Sequence, residues 1–165
     1  MKRVYLISIF FVAYSVYGQK VLPLTKLSSI STMMNLDSVK KILLKFEFKL
    51  IDEDETILDG SKYSMYEFNR FNSSISDNET ITIAKCKDVR VTPYFRVTYN
   101  CHNPTVFENY KKSLLLIKGV EKTNKNVYSD CSHDEYTRGF YAYDFIRCNV
   151  TEELKSYIFL IKYNN

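Results

Sequence analysis

The densest group of chemically active side chains in this sequence is the stretch Cys131–Glu135, which contains His133 and Asp134. A histidine beside carboxylates is a combination that general-base catalysis and metal binding both use. Neighbours in one loop cannot easily direct their side chains at one point, and the only other histidine is His102. We therefore interpret the stretch as a solvated hairpin loop without a metal or cofactor, and keep His133 as a candidate partner-binding residue.

Two further carboxylates, Glu67 and Asp144, occupy matching places in the similar segments Tyr66–Arg70 and Tyr143–Arg147. A carboxylate pair on one sheet face could serve glycoside hydrolysis. The sequence has no serine-nucleophile motif, phosphate loop or dinucleotide fingerprint beside it. We expect no enzyme and no catalytic residue, and we assign Glu67, Asn69 and Asp144, with the histidine above, as candidate contacts to a partner.

The acidic run Asp52–Glu55 could attract calcium. An EF-hand loop that began at Asp52 would need glycine at its sixth position and a bidentate glutamate at its twelfth. The sequence has Ile57 and Tyr63 there. We therefore predict an acidic turn without calcium.

Four cysteines, Cys86, Cys101, Cys131 and Cys148, lie at spacings that match no zinc motif. In an oxidising compartment an even number of cysteines is typical of disulfides. Three connectivities are open, and four free thiols are the alternative. We favour Cys86–Cys101 and Cys131–Cys148, because each pair flanks a predicted strand–turn–strand unit.

The first eighteen residues have the features of a cleaved secretory signal. Lys2 and Arg3 precede an apolar run, and Val16 and Gly18 suit cleavage before Gln19. The apolar run is too short for a membrane anchor. We predict a signal peptide at 1–18 and a secreted or periplasmic product.

Net charge argues against nucleic acid as a partner. The chain carries 23 Lys+Arg and 19 Asp+Glu, and removal of residues 1–18, which hold Lys2 and Arg3, lowers its net charge from +4 to +2. No dense basic stripe is present. Since no later segment is long and apolar enough to span a bilayer, we also expect no transmembrane segment after the signal.

Helical periodicity occurs twice, and the two sets of apolar positions are related by one constant offset along the chain. The first helix is predicted at 35–46 and the second at 104–118. Asn103 and Pro104 form a good N-cap and first-turn pair for the second helix, and Thr32 stands at the equivalent place before the first. A short helical turn is predicted at Leu24–Ser31. The apolar positions that share the offset are Leu36 with Phe107, Val39 with Tyr110, Leu43 with Leu114, and Phe46 with Ile117.

Strand motifs also recur, at a second and slightly longer offset: Tyr66–Arg70 resembles Tyr143–Arg147, and Thr80–Lys85 resembles Tyr157–Lys162. This indicates a duplicated unit, with chance similarity as the alternative. Strands are predicted at 46–52, 62–71, 80–87, 90–100, 120–125, 127–131, 140–147 and 154–163. We predict an α+β fold: a duplicated helix-then-three/four-strand repeat, with a two-layer antiparallel sheet and helices on one face. The aromatic face of the sheet should meet the helices, and the face with Glu67 and Asp144 should be more open.

The domain plan follows from the duplication. The first repeat half is predicted at 19–102 and the second at 103–165, in one compact domain at 24–163. This plan resembles the tandem halves of beta-lactamase inhibitor proteins and the single modules of outer-membrane assembly lipoproteins. The signal and the start of the mature chain resemble small secreted proteins of Bacteroidota. The resemblance is architectural, so it carries over no partner-binding residue.

The resemblance and the absence of enzyme motifs favour a secreted or periplasmic, non-enzymatic protein-interaction module, with an inhibitor or immunity role as one version. Its partner would be a protein or a component of the cell envelope. The alternative is a small-ligand or lipid carrier of the envelope, which needs an enclosed apolar cavity.

Overall fold

We describe the fold from a computed structural model, which describes residues 21–33, 35–58, 60–73, 76–87, 95–128, 131–151 and 155–163. Within these ranges the chain forms three helices and eight strands. The helices are α1 (Leu24–Ser31), α2 (Leu36–Leu44) and α3 (Pro104–Leu115). The strands are β1 (Lys49–Leu58), β2 (Ser61–Asn72), β3 (Asp77–Cys86), β4 (Phe95–Cys101), β5 (Glu121–Tyr128), β6 (Cys131–Arg138), β7 (Tyr141–Asn149) and β8 (Lys155–Tyr163). The predicted signal peptide lies outside the described residues.

The eight strands of the described ranges form one antiparallel sheet in the order β1-β2-β3-β4-β8-β7-β6-β5. Strands β4 and β8 pair at its centre, and β1 and β5 form its edges. The predicted α+β class with an antiparallel sheet is confirmed.

Alternation along the strands divides the sheet into two faces, which we call inner and outer. The inner face is marked by a row of directly opposed aromatic and aliphatic residues, each at most 2% exposed: Phe68, Ile81, Tyr99, Phe159 and Phe145. The adjacent row marks the outer face: Glu67, Thr82, Thr98, Leu160 and Asp144. In these two rows the aromatic residues lie on the inner face and the carboxylates of Glu67 and Asp144 lie on the outer face, as the sequence predicts.

Helix α3 packs on the inner face through two aromatic residues. The Phe107 ring lies 5.3 Å from that of Phe145, and the Tyr110 ring lies 5.1 Å from Tyr99 and 5.6 Å from Phe159. Burial of such apolar surface stabilises the fold by about 25 cal/mol per Å². Helix α1 contacts the two central strands, β4 and β8.

Asparagine caps the beginnings of α2 and α3. The Asn103 side chain accepts from the Thr105 amide at 2.9 Å, and Pro104 follows it, as predicted. The cap of α2 is Asn35, which accepts from the Asp37 amide at 2.7 Å. Thr32 instead follows the last residue of α1, so its predicted capping role is wrong.

Two segments that were predicted as loops are strands. The run Asp52–Glu55 lies inside β1 and pairs with β2, so the predicted acidic turn is wrong. The stretch Cys131–Glu135 lies inside β6 and pairs with β7, so the predicted hairpin loop is also wrong. Polar residues dominate both stretches, and polarity alone misleads in antiparallel sheets, because one face of a strand can meet water.

The strands that contain Tyr66 and Tyr143, which were predicted to be equivalent, hold different positions in the sheet. Tyr66 lies in β2, the second strand after α2, whereas Tyr143 lies in β7, the third strand after α3. Strand β2 neighbours an edge strand, and β7 neighbours the central strand β8. These residues therefore hold different positions, although α2 and α3 are each followed by four strands.

Candidate functional site

The four predicted partner-binding residues share the outer face but fall into two separate places. Glu67 and Asn69 lie on β2, His133 on β6 and Asp144 on β7. Glu67 and Asp144 belong to one row across the sheet, with β3, β4 and β8 between their strands. Four strand spacings place them roughly 19 Å apart. Glycosidase carboxylates lie about 5–9.5 Å apart, so these two cannot act as such a pair.

His133 and Asp144 meet because of the strand register. His133 lies opposite Ile146, and Glu135 lies opposite Asp144, so the three polar side chains adjoin on the outer face. Nε2 of His133 is 3.1 Å from Oδ1 of Asp144. The expectation that this stretch cannot converge was wrong, because it considered only neighbours along the chain and not the facing strand.

Lys162 completes this cluster from β8. Its Nζ lies 3.0 Å from Oδ2 of Asp144 and 3.7 Å from Oε2 of Glu135. The hydroxyl of Thr123 donates to Oε1 of Glu135 at 3.1 Å. We call His133, Glu135, Asp144 and Lys162 the His133 cluster. The sequence analysis singled out the stretch that contains Glu135 without assigning that residue to a site, and it missed Lys162, because only the strand register brings these two residues to Asp144.

Burial makes the His133 cluster unusual. The Asp144 side chain is 3% exposed and that of His133 is 17% exposed, although both lie on the outer face. Asp144 is therefore not available as a surface contact, and its ion pair with Lys162 gives it a structural task. Among the described residues, the buried Nε2 of His133 and Oδ1 of Asp144 are two polar atoms without a hydrogen bond. They are close enough for one but do not meet its angular requirements.

An acidic depression occupies the other end of the outer face. It has a volume of about 300 Å³ and is lined by Asp52, Asp54, Thr56, Met65, Glu67 and Thr82. The carboxylates of Asp52 and Asp54 accept hydrogen bonds from the backbone amides that follow them, at 2.9 and 2.7 Å. None of the three carboxylates forms an ion pair with another residue that the structure describes. We call Asp52, Asp54 and Glu67 the acidic patch.

A second charged group, which the sequence analysis missed, is buried on the inner face. Glu79 is paired with Arg70, and its Oε1 accepts from the Tyr99 hydroxyl at 2.5 Å and from Asn72 at 3.2 Å. Burial raises the pKa of Tyr99 and of Tyr110 far above the usual range, and the neighbouring charge of Glu79 adds to both effects. The tyrosyl groups therefore remain neutral donors, and this group anchors the core.

Asp134 connects three elements at the inner face. Its carboxylate accepts from Lys111 of α3 at 2.7 Å and from Lys122 of β5 at 2.5 Å. Burial alone would raise the pKa of Asp134, but the two lysines outweigh burial and lower it. Asp134 thus holds β6 against the helix and the edge strand, while its neighbours in sequence form the His133 cluster on the opposite face.

One of the two predicted disulfides is present. Cys131 and Cys148 are directly opposed on β6 and β7 and form a bond. Cys86 and Cys101 are free, so their predicted bond is wrong. They lie at opposite ends of the β3–β4 ladder, because Lys85 is opposite Phe95 while Thr80 is opposite Asn100. Seven residues along the ladder separate them, which is about 24 Å and far beyond the reach of a disulfide.

Comparison with known proteins gives no neighbour: no family model, no curated protein and no solved structure matches the chain. None of the helices that the structure describes is both long and apolar enough to cross a membrane.

Proposed function

We propose that this protein is a secreted or periplasmic, non-enzymatic interaction module that binds a protein partner through its outer sheet face. The observation that carries the proposal is the acidic patch. Asp52 and Asp54 are exposed, Glu67 is half-buried, and no described cation pairs with any of them. Carboxylates in this state favour a partner with a basic surface, because complementary charge guides association and selects the partner.

The contrast between the two faces supports this assignment. The middle of the inner face, on β4, β8 and β7, is covered by aromatic packing against α3, so a partner could not reach it without displacing the helix. The outer face carries polar and charged residues of intermediate exposure across β2, β3 and β4, such as Asn69, Thr82 and Thr98. Polar surfaces of this kind are typical of non-obligate interfaces. An inhibitor or immunity role is one version of this function.

The fold proposed with this function is a duplication whose helices all cover the inner face. The order of elements supports it: α2 and α3 are each followed by four strands, and the sheet order is unchanged when β4 is exchanged with β8, β3 with β7, β2 with β6 and β1 with β5. The two halves would then each contain one helix and four strands, related by a twofold axis between β4 and β8.

Binding by the acidic patch can be tested with two charge-matched double variants of the full chain. Asp54→Asn with Glu67→Gln removes two charges from the patch, and the asparagine keeps the backbone contact of Asp54. The control, Glu53→Gln with Glu121→Gln, removes two charges at exposed positions outside the patch. The tagged proteins are used to capture partners from the envelope fraction and medium of the producing cells, and each captured protein is then purified.

Calorimetry with the purified partner gives the deciding measurement. The patch variant should weaken binding about tenfold, or roughly 1.4 kcal/mol, and the affinity of the wild type should fall as salt rises. The control variant should bind like the wild type. Equal affinity for all three proteins would exclude the acidic patch as the binding surface.

A further inference from the structure

We propose that the His133 cluster is a binding site for a divalent transition-metal ion of the zinc type, with His133, Glu135 and Asp144 as ligands. The three side chains offer one nitrogen and two carboxylate oxygens, and these atoms all lie within 4.8 Å of one another. Imidazole and carboxylate are common zinc ligands. The inference is independent of the acidic patch and of any protein partner.

The distance between two buried polar atoms that have no hydrogen bond favours a metal ion bound to both. Nε2 of His133 and Oδ1 of Asp144 are buried, face each other at 3.1 Å and have no hydrogen bond. Buried polar atoms nearly always have a partner. Two ligand atoms at about 2.0–2.1 Å from one tetrahedral zinc ion lie about 3.3 Å apart. The observed spacing therefore suits two ligands of one ion.

The surroundings hold these ligands in place. His133 and Glu135 project from β6, Asp144 projects from β7, and the Cys131–Cys148 disulfide joins the same two strands two residues before His133. The Thr123 hydroxyl binds the Glu135 oxygen Oε1. Such hydrogen bonds to a ligating carboxylate orient it and tune its affinity for a metal.

The ammonium group of Lys162 pairs with the carboxylates of Asp144 and Glu135 and would compete with a metal ion for them. Its Nζ is bound to Oδ2 of Asp144, whereas Oδ1 is the oxygen that faces His133. The lysine side chain is 28% exposed and long, so it can move toward solvent when an ion enters. Removal of this positive charge should therefore increase metal affinity. A purely structural ion-pair cluster makes no such prediction, because it would only lose a partner.

The test is a zinc titration of the chelator-treated full chain by calorimetry, with four variants. The wild type should bind one zinc ion. His133→Ala should weaken binding by at least about 100-fold, which exceeds the usual effect of an outer-shell residue. His102→Ala removes the other histidine and should leave the affinity unchanged. Lys162→Met should bind about tenfold more tightly. Cys86→Ser should match the wild type, which excludes that half-buried thiol as the ligand.

Cobalt substitution provides a second measurement that does not depend on affinity alone. Bound Co²⁺ should give visible d–d bands in the wild type and in His102→Ala, and these bands should disappear in His133→Ala. Circular dichroism of each variant checks that it is folded. The proposal is overturned if the folded wild type binds no zinc at 1 mM, if His133→Ala binds like the wild type, or if Lys162→Met lowers the affinity.

Discussion

The hydroxyl of Tyr99 donates a hydrogen bond to Oε1 of Glu79 at 2.5 Å, and both side chains are buried. The same carboxylate is paired with Arg70, whose guanidinium also donates to the Phe46 carbonyl at 2.7 Å and lies 4.4 Å from the Phe48 ring centroid. The core thus contains a buried ion pair whose acid is also bound by a neutral phenol. A buried charge of this kind is stable only while its partners remain.

The first prediction is that Glu79→Ala strongly destabilises the fold. It leaves the Arg70 charge buried without its counter-ion, and the free energy of unfolding should fall by about 3–5 kcal/mol. Glu67→Ala, at an outer-face position, is the matched control and should change it by less than about 0.5 kcal/mol. Urea unfolding of both variants measures the difference. If both variants lost the same unfolding free energy, the assignment of Glu79 to the inner face and of Glu67 to the outer face would be wrong.

The second prediction concerns alkaline pH. The folded state holds the pKa of Tyr99 well above its unfolded value of 10.0, chiefly through burial. A group with a raised folded-state pKa stabilises the fold below its unfolded pKa, and this contribution is lost as pH rises. Each such group should therefore lower the unfolding free energy by about 1.4 kcal/mol per pH unit above pH 10. Tyr110 acts in the same direction.

Urea unfolding between pH 8 and 11 checks this slope. Tyr99→Phe should make the decline above pH 10 shallower by about 1.4 kcal/mol per pH unit, although it weakens the fold at pH 8. A variant with the same slope as the wild type would show that Tyr99 ionises normally. Tyr63→Phe, at a half-buried position on the outer face, serves as the control.

The third prediction is a thiol count. Burial raises the pKa of Cys101 to about 12, and alkylation requires the thiolate. In the native, unreduced protein at pH 8, iodoacetamide should therefore modify Cys86 and leave Cys101 unmodified. Mass spectrometry should find two alkylated residues after unfolding and four after unfolding with reduction. Four in the unreduced, unfolded protein would contradict the Cys131–Cys148 bond, and none would indicate a second disulfide.

The fourth prediction concerns the N-terminus, which lies outside the described residues. The charged start, the apolar run and Gly18 predict cleavage before Gln19. Intact-mass analysis of the protein from its producing cells should show a chain that starts at Gln19 and lacks two thiol hydrogens. Gly18→Arg should block cleavage and leave the longer chain in the membrane fraction. An uncleaved wild type would contradict the proposed secretion.

Local patterns predicted the elements well because their causes are local. The apolar spacing of Val39 and Leu43 requires only the helix period, and the asparagine cap at Asn103 acts within three residues. The strand alternation likewise predicted which face Phe68 and Glu67 would occupy. These signals fix the class of fold and the sides of the sheet.

The His133 cluster depends instead on strand order and register, which local patterns leave open. Three strands lie between those of Glu67 and Asp144, whereas Glu135 and Asp144 lie directly opposite each other on neighbouring strands. The predicted Cys86–Cys101 bond is wrong for a different reason: each cysteine ends its strand, and the carboxyl ends of neighbouring antiparallel strands lie at opposite ends of the ladder. A shift of one residue in register would also have moved each side chain to the other face.

The fifth prediction tests the packing of the inner face. Phe145 lies 4.7 Å from Phe159 and 5.3 Å from Phe107, measured between ring centroids, and Phe68 is 2% exposed. Replacement of Phe68 or Phe145 by alanine removes buried surface and leaves a cavity, which costs about 3–5 kcal/mol. Phe140→Ala is the control, because this ring is 66% exposed and its loss should cost about 0.5 kcal/mol or less.

A double-mutant cycle between Phe107 and Phe145 makes the fifth prediction specific to the contact of α3 with the sheet. Edge-to-face aromatic pairs couple by about 0.5–1.5 kcal/mol, so Phe107→Leu and Phe145→Leu together should cost less than the sum of the single changes. Urea unfolding of the four proteins gives the coupling energy. Additive losses would show that α3 does not pack on β7 as described, because residues without contact usually behave independently.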